Sequence, residues 1–223
     1  MAAEPIEITY RAFDNWKEAL PALNALKGIV ACDFEGANVL TDARREYLQS
    51  RVAKTKSVAY SRKLRQQLNA TGLSHPALAK ITHLSIADKE DEAIVVICHT
   101  EELRKQVFEW LVTTKKVQIW HNAGFDFKHI LHNTGKLPKH WEDTQLLARC
   151  LLNDANDFHS QTGLKGLMGD AYNPEWKAMS DDFSSPNFFK ESFLHYAAID
   201  ACATYKLYFI IINSLKQKED SNE

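Results

Sequence analysis

The chain has 223 residues, of which 45% are hydrophobic and 25% charged, and its net charge is −2. This length and composition are typical of one globular domain with its own core, and no apolar run approaches the ~20 residues that cross a bilayer. The four cysteines form no CxxC pair and the N-terminus has no signal-peptide pattern, so we expect a cytoplasmic protein without a membrane partner.

Apolar periodicity and helix-capping residues predict a sheet that is covered by helices. The predicted strands are 6–13, Ile29–Phe34, Ile81–Ala87, Ala93–Cys98 and Val117–Trp120. Helices are predicted after Asp14, Thr100 and Asp143, from Phe125, and from Ser185-Pro186 to about Leu215. This order indicates an α/β fold with a mixed sheet of roughly five strands. We expect a single domain over residues 1–215, followed by a polar tail at 216–223.

Basic residues are concentrated between the second and third predicted strands. Residues 41–80, which we call the basic arm, carry nine Lys and Arg against two Asp and Glu, so the arm is +7 and the rest of the chain −9. Tyr60, Leu64 and Leu68 recur at helical spacing, so we expect an insertion of one or two helices. An acidic body with a basic arm favours a polyanionic partner, although a merely solvated surface helix would have a similar pattern.

Three short acidic motifs follow predicted strands or lie in the last helix. They are Asp33-Phe34-Glu35, His121-Asn122-Ala123-Gly124-Phe125-Asp126 and Tyr196-Ala197-Ala198-Ile199-Asp200. Each has an ordinary explanation when taken alone: solvated acids, a turn with a helix cap, or a core tyrosine. Together they indicate a compensating cation, because buried carboxylates are costly without one and carboxylates are preferred ligands of Mg²⁺ and Mn²⁺. A pair of such ions is a standard device for phosphodiester hydrolysis, so the motifs predict a metal-dependent nuclease.

On these motifs the chain resembles the DEDD superfamily of 3′-5′ exonucleases, and is most similar to RNase D and to the proofreading domains of family-A DNA polymerases. Segments 143–147 and 163–167 also resemble segments of that family. The resemblance implies an RNase H-like three-layer α/β/α fold and two divalent ions, Mg²⁺ or Mn²⁺. Asp33, Glu35 and Asp200 would hold one ion, and Asp33 and Asp126 the other.

The same resemblance implies a residue that orients the attacking water, and two neighbouring positions are available for it. One branch of the superfamily uses a tyrosine four residues before the last aspartate, and another a histidine five before it; this chain has both Tyr196 and His195. On a helix Tyr196 lies on the face of Asp200 and His195 about 140° away from it, which favours Tyr196.

The expected substrate is single-stranded DNA or a DNA 3′ end, from which nucleoside 5′-monophosphates are released. Gly36 and Asn122 are expected to hold the terminal nucleotide. The arm residues expected to bind the substrate backbone are Arg44, Arg45, Arg51, Arg62, Lys63 and Arg65. A free-standing enzyme that edits for a separately encoded DNA polymerase is the leading hypothesis. The alternatives are an exoribonuclease resembling RNase D and, less favoured while all four acids are present, a non-enzymatic nucleic-acid-binding module.

Overall fold

The computed structural model describes residues 5–38, 42–69, 76, 79–152, 162–169, 171–172, 176 and 189–220; at 38, 42–45, 66–69, 152 and 218–220 it describes the backbone alone. These residues form one six-stranded mixed sheet with helices on both faces, the α/β arrangement expected of the RNase H-like fold. The strands are β1 (Thr9–Phe13), β2 (Ile29–Asn38), β3 (Ala79–Ala87), β4 (Glu92–Ile97), β5 (Val117–Trp120) and β6 (Trp141–Asp143).

The helices fill the connections between these strands and the C-terminal part of the chain. They are α1 (Trp16–Ala25), α2 (Asp42–Lys54), α3 (Val58–Asn69), α4 (Glu101–Thr113), α5 (Asp126–Thr134), α6 (Thr144–Leu152), α7 (Leu164–Met168) and α8 (Glu191–Asp220). None of the helices in the described part of the chain has the length and apolar character needed to span a membrane.

Strand order in the sheet is β1-β4-β3-β2-β5-β6. The hairpin β3-β4 runs antiparallel beside β2, while β5 is parallel to β2 and β6 is parallel to β5. The strand β1 forms the edge of the sheet opposite to β6, where it pairs in parallel with β4. The second strand is therefore an interior strand, with its backbone hydrogen bonds shared between β3 and β5.

Two hydrophobic clusters lie on opposite faces of this sheet. On one face, α1, α4 and α5 pack over side chains such as Phe34, Leu84 and Trp120. On the other, α6, α7 and α8 cover side chains such as Ala93 and Val95. The alternation is clearest in β4, where Ile94 and Val96 enter the first cluster and Ala93, Val95 and Ile97 enter the second, as the period of two in a β-strand requires. This gives the three expected layers.

The structure corrects two expectations about the limits of these elements. A sixth strand, Trp141–Asp143, extends the sheet beyond the five that were expected; three residues carry too little alternation for a strand to be predicted. The last helix begins at Glu191 in the described chain and continues to Asp220, so residues 216–220 extend the helix instead of forming a tail. Ser185 and Pro186 lie outside the described residues.

Two helices occupy the basic arm, α2 and α3, and they pack against each other. Leu48 and Leu64 are buried, which explains why this polar segment is helical and ordered into a pair. On the outer surface the Arg51 guanidinium donates a hydrogen bond of 3.2 Å to the Tyr60 hydroxyl. The arm thus exposes most of its charged side chains to solvent.

Candidate active site

The centre of the candidate site is the middle of β2, which continues to Asn38 and so past its predicted end at Phe34. Alternation along the strand separates the two acids of the first motif from the residue between them. Phe34 faces the first hydrophobic cluster, with its ring centroid 5.5 Å from those of Phe108 and Trp120. Asp33 and Glu35 therefore face the opposite side, toward α8. A β-bulge follows between Glu35 and Gly36, so the strand changes its pairing with β3 directly after the second acid.

The third motif completes a compact acidic cluster. One carboxylate oxygen from each of Asp33, Glu35 and Asp200 can be chosen so that all three lie within 4.8 Å of one another. Asp200 is buried, whereas Asp33 and Glu35 are half-buried. The predicted convergence of the first and third motifs is thus present, and we call these three residues the acidic cluster.

Burial and mutual repulsion make this cluster unfavourable when fully ionised. Burial raises the pKa of Asp33 well above its usual range, and the Glu35, Asp200 and Asp126 charges raise it further. The pKa of Glu35 is also raised well above its usual range, first by burial and then by the Asp200 charge. The pKa of Asp200 rises to about 6 through burial, although the Lys165 ammonium and hydrogen bonds from Tyr196 and Trp176 oppose the rise. A cation bound at the cluster would remove this cost.

Asp126, the fourth acid, lies beside the acidic cluster but outside the set of three. It is the first residue of α5 and its side chain is only 2% exposed. Burial raises its pKa, while the backbone N–H groups of Asp126 itself and of Phe34 hold the carboxylate against β2. Its Oδ1 atom has no hydrogen-bond partner among the described residues. A buried carboxylate oxygen without a donor is the kind of group that a metal ion satisfies.

The turn before Asp126 is held by Asp143, which the sequence identified as a helix cap within a family-like segment but not as a contact to the second motif. Asp143 is buried and its Oδ1 accepts from the backbone N–H groups of Asn122, Gln145 and Leu146 at 3.1, 2.8 and 3.3 Å. Its Oδ2 accepts from the N–H of Ala123 at 2.9 Å. One carboxylate therefore caps α6 and also fastens the second motif to it.

Asn122 itself has a backbone φ of 63°, in the left-handed region that asparagine tolerates better than most residues. Its side chain is exposed to solvent, four residues before Asp126. The position combines a demanding backbone geometry with an accessible amide, which is compatible with the expected contact to substrate.

His121 precedes this turn and was quoted in the motif without an assigned role. Thr144 Oγ1 donates to the Trp120 carbonyl at 3.1 Å, so its 2.9 Å contact with His121 Nδ1 requires the imidazole to donate. Burial lowers the pKa of His121 to about 4, which keeps the ring neutral at physiological pH.

On α8 the two neighbouring candidates point in different directions. The Tyr196 hydroxyl hydrogen-bonds to Asp200, and burial, followed by the charges of the acidic cluster, raises the tyrosine pKa far above its usual range. His195 instead lies beside Tyr10 of the edge strand β1, with ring centroids 6.1 Å apart. The structure therefore places Tyr196, and not His195, at the acidic cluster.

Two further side chains surround Asp200 and were missed as site residues. Trp176 Nε1 donates to Asp200 Oδ1 at 2.9 Å, although no local pattern around Trp176 indicates such a contact. Lys165 lies in the segment recognised from family resemblance, and its ammonium hydrogen-bonds to the Tyr196 hydroxyl. A cavity of about 280 Å³ opens onto these groups and is lined by Asp33, His121, Asp200 and the turn Gly163–Gly166.

The basic residues predicted to bind substrate belong to the arm, and those whose side chains are described do not line this cavity. Lys56, Arg62 and Arg65 line a separate cavity of about 570 Å³ at the turn between α2 and α3. Arg51 and Lys63 are exposed on the same helix pair. Arg44 and Arg45 lie in α2, but their side chains are outside the described part of the structure.

The fold and the site together define a class of proteins, the exonucleases with an RNase H-like fold. The model of the 3′-5′ exonuclease family matches residues 71–216, well over half of the chain. The chain therefore belongs to the 3′-5′ exonuclease family, and it is a metal-dependent enzyme of the DEDD type. The match begins at residue 71, inside the basic arm, so it does not include Asp33 and Glu35; the structure places these two acids beside Asp200.

Solved structures of several exonucleases share this fold at low sequence identity. NrnC of Brucella melitensis with bound Mg²⁺ is 15% identical, with 96% of this chain and 84% of NrnC covered and a TM-score of 0.57. The Aedes aegypti Nibbler EXO domain is 12% identical, with coverages of 96% and 94% and a TM-score of 0.61. Escherichia coli RNase D, an exoribonuclease, is 14% identical, with coverages of 94% and 46% and a TM-score of 0.58. The comparison with curated proteins found no match.

Two divalent metal ions are the cofactor of this class of enzyme, and the residues present fit them. The acidic cluster offers several oxygens within one small volume, and Asp126 adds a buried oxygen with no partner among the described groups. Carboxylates in this arrangement suit Mg²⁺ or Mn²⁺.

Proposed function

We propose that this exonuclease removes nucleotides one at a time from the 3′ end of DNA and releases nucleoside 5′-monophosphates. The observation that carries the proposal is the convergence of Asp33, Glu35 and Asp200 within 4.8 Å, with Asp126 buried beside them. We expect a preference for single-stranded DNA, because the cavity beside this cluster would admit a terminal nucleotide that is not paired with a complementary strand.

Asp33, Glu35 and Asp200 would hold one divalent ion, and Asp33 and Asp126 the second. When bound, the two ions activate the attacking water and offset the negative charge that develops on the phosphate. Trp176 and Tyr196 fix the Asp200 carboxylate through their hydrogen bonds. Such fixed ligands keep the site in its productive geometry before substrate arrives.

Tyr196 orients the attacking water in this proposal and does not remove its proton. A phenol whose pKa is raised by burial stays protonated at neutral pH, so it can donate and accept hydrogen bonds but cannot act as a base. Its position against Asp200 puts that donor beside the reacting phosphate. His195, which lies near Tyr10 on the edge strand, takes no part in the reaction.

Substrate contacts in this proposal come from residues next to the first and second motifs and from the basic arm. Asn122 and the backbone at Gly36 would hold the terminal nucleotide. Arg51, Arg62, Lys63 and Arg65, together with Arg44 and Arg45 on α2, would bind the phosphates further along the strand. Their charge offsets the acidic body, which would otherwise repel a polyanion.

An exoribonuclease is the second candidate, because the chain shares its fold with Escherichia coli RNase D, and NrnC has been solved with bound pGG. The acids act on the phosphodiester, which DNA and RNA have in common, so the acidic cluster does not distinguish the two substrates.

One experiment separates the candidates. Single-stranded DNA, duplex DNA, a primer with a mismatched 3′ end and RNA of the same sequence are labelled at the 5′ or the 3′ end. Each is incubated with Mg²⁺, Mn²⁺ or EDTA and the products are resolved on a gel. The proposal requires progressive 3′ shortening of DNA with either metal, none in EDTA and none with Asp200→Asn. Faster shortening of RNA than of DNA would move the assignment to an exoribonuclease.

A further inference from the structure

Lys165 is a cation placed between the acidic cluster and the aromatic residues that fix it. It lies in α7, and its Nζ atom is 4.2 Å from the centroid of the Tyr196 ring and 5.8 Å from that of the Trp176 ring. The same ammonium hydrogen-bonds to the Tyr196 hydroxyl. Cation–π contacts and this hydrogen bond hold the charged end of a long side chain in one place.

The charge of Lys165 acts on the acidic cluster without forming a direct ion pair. Its ammonium lowers the pKa of Asp33, Glu35 and Asp200, which are all raised by burial. Among the described side chains, Lys165 makes no salt bridge with a carboxylate. It therefore offsets the clustered negative charge from the wall of the cavity, where one of its three donors is used by Tyr196.

We propose that Lys165 is the site's phosphate-binding residue: without metal it is the counter-ion of the acidic cluster, and in the metal-loaded enzyme it binds the phosphate of the 3′-terminal nucleotide. The proposal rests on the proposed function for the class of substrate. It adds a residue to which neither the motifs nor the family match gives a role.

The physical reason is an exchange of partners. Divalent ions at Asp33, Glu35 and Asp200 cancel the charges that Lys165 had offset, and the ammonium is then repelled by the ions. A phosphate that enters the same cavity of about 280 Å³ supplies an anion that binds both the ions and the Lys165 ammonium. The cavity is close to the ~300 Å³ lower limit of small-ligand sites, which suits one nucleotide.

The test compares Lys165→Met, which keeps the apolar stem, with Lys165→Arg, which keeps the charge. Lys139→Met, at an exposed lysine away from the site, is the control. In a calorimetric titration with Mg²⁺ alone, K165M should bind Mg²⁺ at least about threefold more tightly than wild type does, because the variant lacks the cation that repels the ions. Loss of a residue that merely supported the fold would weaken Mg²⁺ binding instead.

The second titration uses dAMP, a product that is not hydrolysed further, in the presence of Mg²⁺. K165M should bind dAMP about tenfold or more weakly, the usual cost of a lost hydrogen bond to a charged group, and K165R should recover most of the affinity. Binding of deoxyadenosine, which has no phosphate, should be the same in all four proteins.

Equal dAMP affinity in K165M and K139M overturns the proposal, whatever happens to Mg²⁺. If circular dichroism shows K165M to be unfolded, Lys165→Gln is the second neutral variant for both titrations. If the wild-type protein shortens DNA or RNA but K165M binds dAMP as tightly as wild type does, the inference about Lys165 is refuted and the proposed function is not. Wild-type protein that releases no 5′-monophosphate from either substrate refutes the proposed function.

Discussion

At the scale of single residues, the buried carboxylates of the acidic cluster repel one another, and bound divalent ions would offset this repulsion. Asp33→Asn removes one charge from a cluster in which burial raises every pKa and neighbouring acids raise those of Asp33 and Glu35 further. We expect hydrolysis to fall at least about a thousandfold. The metal-free melting temperature should be unchanged or higher, because repulsion is relieved.

Asp200→Asn should lose activity to the same extent, and Glu7→Gln, an exposed acid on the N-terminal segment, should lose none. Single-turnover hydrolysis and thermal unfolding in EDTA measure the two effects. Near-normal turnover in either Asp variant would contradict the assignment of these acids to the ions.

A second prediction at this scale separates the two neighbouring residues of α8. Tyr196→Phe removes the hydroxyl that bonds to Asp200, and should lower kcat by about a hundredfold with little change in KM, since the donor acts on the reacting water. His195→Ala should change kcat little, because His195 packs near Tyr10. Steady-state kinetics on one labelled oligonucleotide give both numbers, and the reverse ranking would assign the chain to the histidine branch.

At the scale of elements, the second motif depends on a strand, a turn and a helix joined by one carboxylate. Asp143→Asn replaces an oxygen that accepts backbone N–H groups with an NH₂ group, so at least one buried donor loses its partner. We expect a loss of roughly 2 kcal/mol in unfolding free energy, together with reduced activity, because Asp126 follows this turn.

Urea denaturation measures the stability of Asp143→Asn, and Glu142→Gln, at the exposed preceding position, is the control. Hydrogen exchange should also increase at the amides of Asn122 and Ala123. A stable variant with unchanged exchange would show that the turn holds its shape without Asp143.

The helix pair α2-α3 carries the prediction for substrate binding. Changing Arg62, Lys63 and Arg65 to Gln should weaken binding of single-stranded DNA and flatten the plot of log K against log salt by about two units, at ~0.7 per phosphate contact. The rate at saturating substrate should remain, because these residues do not line the cavity at the acidic cluster.

The matched control for the arm changes Lys105, Lys115 and Lys139 to Gln, three exposed lysines outside it. Fluorescence anisotropy with a catalytically inactive Asp200→Asn background gives the slopes. If both triple variants have the wild-type slope, the arm is not a substrate clamp and a protein partner becomes the better hypothesis.

At the scale of the whole molecule, His121 links the stability of the fold to pH, since it lies where β5, α6 and the cavity meet. Its folded-state pKa of about 4 is below the unfolded value near ~6.5, so the unfolded state binds more protons in between. The neutral imidazole stabilises the fold fully above pH ~6.5, and this contribution is lost as the pH falls toward 4.

Relative to His121→Gln, the wild-type protein should therefore lose up to roughly 3 kcal/mol between pH 6.5 and 4. The comparison with the variant is essential, because the acidic cluster titrates in the same range with the opposite sign. Denaturation in EDTA at half-unit pH steps gives the difference, and His132→Gln, an exposed histidine, is the control. A difference that does not change with pH would show that His121 is not buried in its neutral form.

The sequence by itself determined the class of fold, the order of most of the elements and the three acidic motifs. These are local properties: alternation and helical period identify Ile29–Phe34 and α8, and Thr100 and Asp143 cap their helices through contacts within three residues. The family resemblance added the chemistry, since DxE, NxxxD and YxxxD are short motifs that stay intact along the chain. Spacing within the arm also predicted one or two helices, and the structure has two, α2 and α3.

Only the tertiary structure decided which side chains meet. Asp33, Asp126 and Asp200 come from a strand, a helix start and a long helix far apart in sequence, and the three-layer packing brings them together beside the middle of β2. Trp176 and Lys165 join Asp200 through contacts that no local period encodes. The strand β6 is likewise made by pairing with β5, since three residues have no recognisable pattern of their own. Local periodicity reflects which face of an element is buried, whereas the partners across that face depend on how the whole chain packs.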